Sequence, residues 1–411
     1  MFELYKKTLL KWRRKLIRFS CIPLYYICRL FPLQNKIVAT TFRGRKFGDN
    51  PQYIYEELYK LSKNIDFVWL KNPEYNYDLP PYVRPVSFYR QWKKTYEYAT
   101  AKVWINTHRM EYNIRKRKKQ LFIETWHGGL GIKKIEGDVA EVLTYKNSIA
   151  EIQNTSRMAN LFISNSDHLT KIYRRAFAYK GKIWKCGYPK NDSLFANSLP
   201  IQKKIKEYFH LDLETKIFFY APTFRDSLEK DGVFEREPYE IDFSRVRSVL
   251  NKRFEGNWVV LVRWHPVMLN KVGSVKDFYG DNVIDASYYP DMQELVLACD
   301  AMLSDYSSCI FDAAMLLKPC FMYATDFEKY VGRRGVYYTL DELPFSYAKN
   351  QEELEKNLDE FNKKNYLEKW NAFALTTGLH ETGHAAKDIA TVIYKFIQGD
   401  FRVLENIKNE P

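Results

Sequence analysis

Hydrophobic positions along the chain come in two rhythms. Short, nearly continuous apolar runs rich in Val, Ile, Phe and Trp predict buried strands, and stretches with apolar residues every three or four positions predict helices. In the first half, strands are predicted at 36–41, 66–70, 102–106, 120–125 and 161–165. Between them the spacing predicts helices over 51–61, 91–100 and 167–177, the last capped by Asp167. The pattern pauses around Gly187–Asn191. It then resumes with strands at 216–220, 258–262, 283–285, 301–304 and 320–323, and helices over 242–254, 291–299 and 309–317. From 351 to 397 the chain is charged, helical in spacing and without strands. Such alternation predicts parallel sheets with helices on both faces. The expected fold is α/β, two Rossmann-like domains facing each other across a cleft. The expected partition is an N-terminal segment (1–33), a first α/β domain (34–190), a second (191–345) and C-terminal helices packing on the two domains (346–411).

At 411 residues the chain is long for one core, which agrees with two domains. Its six cysteines are scattered, with no Cys-x-x-Cys, as expected of free thiols in a reducing compartment. The net charge of +14 fits nucleic acid, anionic lipid or a phosphorylated substrate. Position narrows the choice. Phe2, Tyr5, Leu9, Trp12, Leu16 and Phe19 share one helical face, while Lys6, Lys7, Lys11, Arg13, Arg14, Lys15 and Arg18 occupy the others. A basic amphipathic helix with aromatic anchors is expected to lie in an anionic membrane surface, the alternative being a helix docked on the rest of the protein. The apolar stretch from Phe19 to Cys28 is too short to span a bilayer and shows no cleavage site. The basic run Arg115–Lys119 is read as a solvated loop.

Two strands end in a histidine beside glycine or proline: 120–125 runs into Trp126-His127-Gly128-Gly129, and 257–262 into Arg263-Trp264-His265-Pro266. This places one imidazole at the carboxyl edge of each sheet, where open α/β sheets bind ligands. Ser304–Ser308 leaves a strand and opens a helix, an arrangement that binds phosphate or simply caps the helix. Thr223 and Arg225 also follow a strand. Arg225 and Arg263 suit phosphate oxygens, and each suits a structural ion pair equally well. His380-Glu381-Thr382-Gly383-His384 has the spacing of a zinc-protease helix, yet Gly383 weakens a helix and no third ligand is evident.

In order along the chain, Asp49-Asn50-Pro51, Trp126-His127-Gly128, Ser164-Asn165-Ser166, Gly187–Asp192, Ala221–Asp226, Arg263–Pro266, Asp305–Ser308 and Arg334–Tyr338 resemble the CDP-glycerol glycerophosphotransferases that build teichoic-acid-like polymers. The resemblance implies a GT-B-type fold. It also implies transfer of glycerol phosphate from CDP-glycerol to a hydroxyl of a lipid-linked glycan or growing polyol-phosphate polymer, with CMP released, in teichoic-acid or capsule synthesis. By it, His127 is the base, and His265, with Arg263, stabilises the diphosphate as CMP leaves. Lys190, Thr223, Arg225, Ser307, Ser308 and Asp312 match nucleotide-binding positions, and Arg263, Trp264, Gly128 and Gly129 are counted with the donor side. The expected partners are a CDP-polyol, a lipid-linked acceptor and the cytoplasmic face of a bacterial membrane, held peripherally; no nucleic-acid recognition motif is present.

Departures stand beside the likeness. Gly129-Leu130-Gly131 replaces the family's Thr-Pro-Leu, Lys190 stands where arginine is common, and Leu343-Pro344-Phe345 replaces a Pro-Gly-Pro element. The donor's polyol is thereby open, with ribitol phosphate or a nucleotide sugar as alternatives. A nucleic-acid-binding protein is the alternative from another class. No cofactor is expected; Asp305 and Asp312 are the residues that can hold magnesium.

Overall fold

The computed structural model describes residues 2–139, 146–225, 235–265, 268–269 and 273–410, without the side chains of 2–4, 6–11, 14–15 and 146–147. Packing divides the chain into two units. The first comprises Met1–His127, Glu136–Asp192 and His380–Pro411, and the second Gly128–Ile135 and Ser193–Leu379.

The first unit holds a parallel sheet of β1 (Gln34–Thr40), β2 (Asp66–Lys71), β3 (Val83–Ser87), β4 (Ala101–Asn106), β5 (Leu121–Glu124), β6 (Leu161–Ser164) and β7 (Lys182–Lys185). Their order is β3-β2-β1-β4-β5-β6-β7. The central strands are buried on both faces, which is why they read as unbroken apolar runs. β3 escapes the pattern because Arg84 and Pro85 interrupt it; proline lacks an N–H and is accommodated on an edge strand. The helix after β6 runs Asp167–Ala176, but its cap is Ser166, whose hydroxyl accepts the Leu169 N–H. Asp167, expected in that role, pairs with Lys185 instead.

The second unit repeats the plan with β8 (Lys216–Ala221), β9 (Trp258–Val262), β10 (Ile284–Asp285), β11 (Ala301–Ser304), β12 (Cys320–Tyr323) and β13 (Ser346–Ala348), ordered β10-β9-β8-β11-β12-β13 and all parallel. Two apolar clusters cover its two faces. In each unit the strand order reverses once, between β1 and β4 and between β8 and β11. At such a switch point the loops leaving adjacent strands diverge and open a crevice at the carboxyl edge.

The packing differs from a linear partition in two places. Segment 128–135 belongs with the second unit because Leu130 and Ile132 are buried in its core, and Lys134 and Tyr337 close backbone bonds to Gly335 and Ile132. The C-terminal helices are shared out: Gln351–Asp359 and Lys363–Thr377 belong to the second unit, and Ala385–Ile397 to the first.

The N-terminal helix is continuous over Phe2–Cys28 and runs through the apolar stretch with Pro23 inside it. Cys21, Tyr25 and Cys28, spaced by four and three, are its buried face, with Tyr25 and Cys28 in the core beside Val38 and Val68. Arg117 donates to the carbonyls of Cys28 and Phe31 just past its end, so the basic run is not wholly solvated. No described helix is long and apolar enough to cross a membrane.

Candidate active site

In the first unit, the strand-end histidine is held by its own turn. Trp126 is in the left-handed region at φ 54°, a strained conformation for an aromatic residue. Three side chains hold the turn there. Glu124 Oε1 accepts the Trp126 N–H at 3.0 Å. Asn50 Nδ2 donates to the carbonyls of Thr125 and Trp126 at 3.3 and 3.2 Å, and Thr125 Oγ1 donates to Asn106 O. The result sets the His127 ring 4.3 Å from the Trp126 ring and 5.4 Å from that of Phe42, with Nδ1 2.7 Å from Thr107 O. A carbonyl only accepts, so Nδ1 carries the proton and Nε2 carries the lone pair. Burial pushes the Glu124 carboxyl well above the usual carboxylate range, against the Trp126 N–H and aided by Glu136. Burial thus favours the protonated carboxyl of Glu124, which shapes the turn.

Asn50 reaches further: its Oδ1 accepts the Lys190 N–H at 3.2 Å, tying the loop after β7 to the turn before His127. Glu381 grips the same loop. It accepts from Asn165 and Asn191 at 2.8 and 2.7 Å through one oxygen and from the Tyr188 N–H at 2.8 Å through the other. That use explains the His-Glu-x-x-His string without zinc. The segment precedes the helix that begins at Ala385, and His384 pairs with Asp388. Asp192 caps that helix through the N–H groups of Ala385 and Ala386, and burial pushes its carboxyl up to about 6 against those two bonds. Lys190 therefore belongs to the first unit, whereas the other nucleotide-binding candidates belong to the second.

The second unit builds its site at the β8/β11 switch point. Asp305, fully buried after β11, accepts the Thr223 N–H through both oxygens at 2.8 and 2.9 Å, and also the Tyr306 N–H. It pairs with Arg225 at 2.6 Å. Arg225 is 3% exposed and meets Asp326 through two further bonds at 2.8 and 3.0 Å and the Thr223 carbonyl at 2.8 Å. Three tyrosine rings surround its guanidinium, that of Tyr306 at 4.7 Å. Burial alone would lower its pKa; Asp305 and Asp326 outweigh it and keep the group charged. Four of its five N–H donors are committed inside the protein, so Arg225 is a brace for the Thr223 loop rather than the phosphate contact expected of it. Asp305 is likewise occupied, which removes it from the magnesium reading, and Asp312 meets Gln293 at 3.2 Å. No group of three metal-binding side chains occurs among the described residues.

The brace leaves Thr223 Oγ1 buried with no hydrogen-bond partner, an orphan hydroxyl at the sheet edge. Arg263 donates to Tyr289 O at 2.6 Å and has no carboxylate within ion-pair distance among the described residues. Burial pushes its pKa below the ordinary arginine range, with Asp291 opposing. Such a desolvated cation favours an anion. Trp264, counted with the donor side, is instead core: fully buried, its ring packs on Tyr239, Phe278 and Tyr279. His265 is exposed and stacks on Phe224 at 6.0 Å. Ser308 occupies the cap position of helix Cys309–Met315 without making a side-chain cap bond, while Ser307 Oγ accepts from Cys309 Sγ. Gly128 lies over this pair, since a Cβ there would stand 3.5 Å from Ser308 Oγ. Gly128 and Gly129 thus belong with Ser308 to the second unit.

The model of the CDP-glycerol:poly(glycerophosphate) glycerophosphotransferase family matches residues 24–395. The chain belongs to this family. Among its relatives, a teichoic acid poly(glycerol phosphate) polymerase of Staphylococcus epidermidis is 32% identical over 378 residues, covering 88% of this chain. The chain spans about half of that protein's length, 51%. A teichoic acid glycerol-phosphate transferase of Staphylococcus aureus is 29% identical over 398 residues, covering 93% of this chain and 98% of the relative. The solved structure of the wall teichoic acid polymerase TagF superposes with a TM-score of 0.79 at 27% identity, covering 98% of this chain and 99% of that one. Membership makes the chain a transferase of the glycerophosphotransferase class, with the two-sheet α/β fold of that polymerase.

Residues that the sequence reading passed over are as telling as those it singled out. Glu381 does its work through contacts far apart in sequence, which no local pattern reports, whereas Glu124 works through the N–H of Trp126 two residues on. His108 was legible: Asn106-Thr107-His108 leaves β4 just as Thr125-Trp126-His127 leaves β5.

Proposed function

We propose that this chain transfers glycerol phosphate from CDP-glycerol to a hydroxyl on a lipid-linked glycan or growing polyol-phosphate chain, releasing CMP, in the synthesis of a teichoic-acid-like or capsular polymer. The observation that carries the mechanism is the Thr107 carbonyl on His127 Nδ1, which fixes Nε2 as a proton acceptor. The acceptor oxygen attacks the phosphorus bonded to glycerol, and its proton passes to His127 Nε2. The bond from that phosphorus to the bridging oxygen breaks, and the bridging oxygen leaves as part of CMP. Phosphoryl transfer of this kind rests on alignment and on neutralising spread charge. Arg263, the Thr223 hydroxyl and the Gly128–Ser308 pair supply that in the second unit, with His265 on the donor's diphosphate as CMP leaves.

Product mass spectrometry after incubation with CDP-glycerol, CDP-ribitol or a UDP-sugar, each with bacterial lipid-linked acceptors, tests the reading. CMP and an acceptor heavier by one glycerol phosphate are expected from CDP-glycerol alone; transfer from CDP-ribitol or the UDP-sugar in its place would overturn the donor assignment.

The N-terminal helix supports peripheral attachment at the cytoplasmic face of the membrane. Its C-terminal half docks on the first unit, while Trp12 and Leu16 remain 60% and 66% exposed and Arg13 is exposed beside them. Trp92, 62% exposed, joins these three residues in lining a groove of about 860 Å³. Aromatic and basic groups side by side fit an anionic interface. Trp12→Glu with Leu16→Glu should abolish co-sedimentation with anionic vesicles and leave the melting temperature within a few degrees; retained binding would refute the helix as the anchor. Phe2 and Leu9, expected on the same face, lie with their side chains outside the described residues.

A further inference from the structure

The β1/β4 switch point of the first unit carries polar groups that the transfer step leaves unused. After β1, Phe42, Arg43 and Gly44 are all left-handed, at φ 46°, 57° and 81°. Only glycine fits the last, since a Cβ at Gly44 would stand 2.4 Å from Leu70 O. Gly44 O is bound by the Asn72 N–H and the Tyr77 hydroxyl, each at 2.7 Å, which pins the run. The pinned loop lays Phe42 against His127 and leaves Arg43 exposed.

After β4, three consecutive residues hold buried polar atoms without a partner: Thr107 Oγ1, His108 Nδ1 and Arg109 Nη1. Thr107 is fully buried, and its carbonyl is the one that holds His127. Buried polar atoms are almost always satisfied, so three orphans in a row at a crevice mark where a ligand's polar atoms go. The neighbouring charges are mostly matched. Lys94 pairs with Glu111 at 2.8 Å, and Arg109 Nε faces Glu136 and Glu151 at 3.4 and 3.8 Å. Arg43 has no carboxylate within ion-pair distance among the described residues. Burial, then Arg43, holds the His108 imidazole well below its ordinary pKa, so it is neutral and able to donate from Nδ1.

We propose that this crevice is a phosphate subsite for the acceptor, in which Arg43 meets the charge of a phosphodiester and Thr107 Oγ1 and His108 Nδ1 donate to its oxygens. The inference rests on the proposed function. The family's name gives poly(glycerophosphate) as a partner in the reaction. The terminal hydroxyl of such a chain stands only a few bonds from its nearest phosphate, as His127 stands beside Thr107.

Steady-state kinetics with two acceptors, one ending in glycerol phosphate and one identical but phosphate-free, tests it on the full chain. Arg43→Ala should raise KM for the phosphorylated acceptor by about tenfold. KM for CDP-glycerol and for the phosphate-free acceptor should not change. Equal losses on both acceptors, or a raised KM for CDP-glycerol, would overturn the subsite. A second arm needs no turnover: titration calorimetry of glycerol 3-phosphate without donor should show binding that Arg43→Ala removes. No binding by the unmodified chain sinks the subsite even if CDP-glycerol is turned over. Binding that needs Arg43, in a protein that does not consume CDP-glycerol, upholds the subsite and refutes the proposed function.

Discussion

Replacing His127 by alanine should lower CMP release from CDP-glycerol by about three orders of magnitude, the usual range for losing a general base. Donor affinity should hold, because Thr223, Arg263 and Ser308 are carried by the second unit. The fold should hold as well. The loss includes the bond to Thr107 O, worth about 1 kcal/mol, whereas the strained turn is secured by Glu124, Asn50 and Thr125. Rapid-quench measurement of CMP, with calorimetric melting on the same sample, separates the two quantities. Turnover within a factor of a few of the unmodified chain would remove His127 from the role of base. A collapse of melting temperature would show that the ring holds the turn rather than the turn holding the ring.

How much of this site a reader of the sequence can see depends on the range of the contact involved. Strands β5 and β9 announce themselves as apolar runs, so the positions of His127 and His265 at two sheet edges follow from local pattern alone. The fate of a polar side chain does not. Arg225 and Arg263 look alike in sequence, each shortly after a strand and each shaped for phosphate. Asp326, a hundred residues away, turns the first into a brace, whereas the second has no carboxylate within ion-pair distance among the described residues. Trp264 sits between two candidate residues yet faces the core, since alternate positions leaving a strand point to opposite sides. Segment 128–135 shows the same limit at the scale of domains. Its sequence position lies inside the first unit, and the burial of Leu130 and Ile132 assigns it to the second. Edge strands such as β3 were missed for the opposite reason: exposure on one side removes the apolar signal.

Arg225→Ala should destabilise the second unit by about 3–5 kcal/mol, a large part of the roughly 5–15 kcal/mol that holds a domain together. The substitution leaves the Asp305 and Asp326 carboxylates facing each other's field in a site walled by Tyr239, Tyr306 and Tyr330. Asp305, fully buried, cannot be rehydrated without opening the core, and Asp326 keeps only a small exposed edge. Arg225→Lys keeps the charge but cannot reproduce the fork that meets Asp326 through Nε and Nη2, so an intermediate loss is expected. Urea unfolding followed by far-ultraviolet circular dichroism gives the free energies. Removing the two charges along with their partner, in Arg225→Met with Asp305→Asn and Asp326→Asn, should recover much of the stability, because the cost lies in unpaired charge rather than in lost attraction. The triple variant should still bind CDP-glycerol weakly: Asp305 also sets the Thr223 backbone, and without it the orphan hydroxyl no longer points from a fixed loop. If Arg225 instead gripped the donor directly, Arg225→Lys would raise KM for CDP-glycerol at unchanged stability. That pattern would return Arg225 to the phosphate and require some other group to hold Asp305 and Asp326 apart.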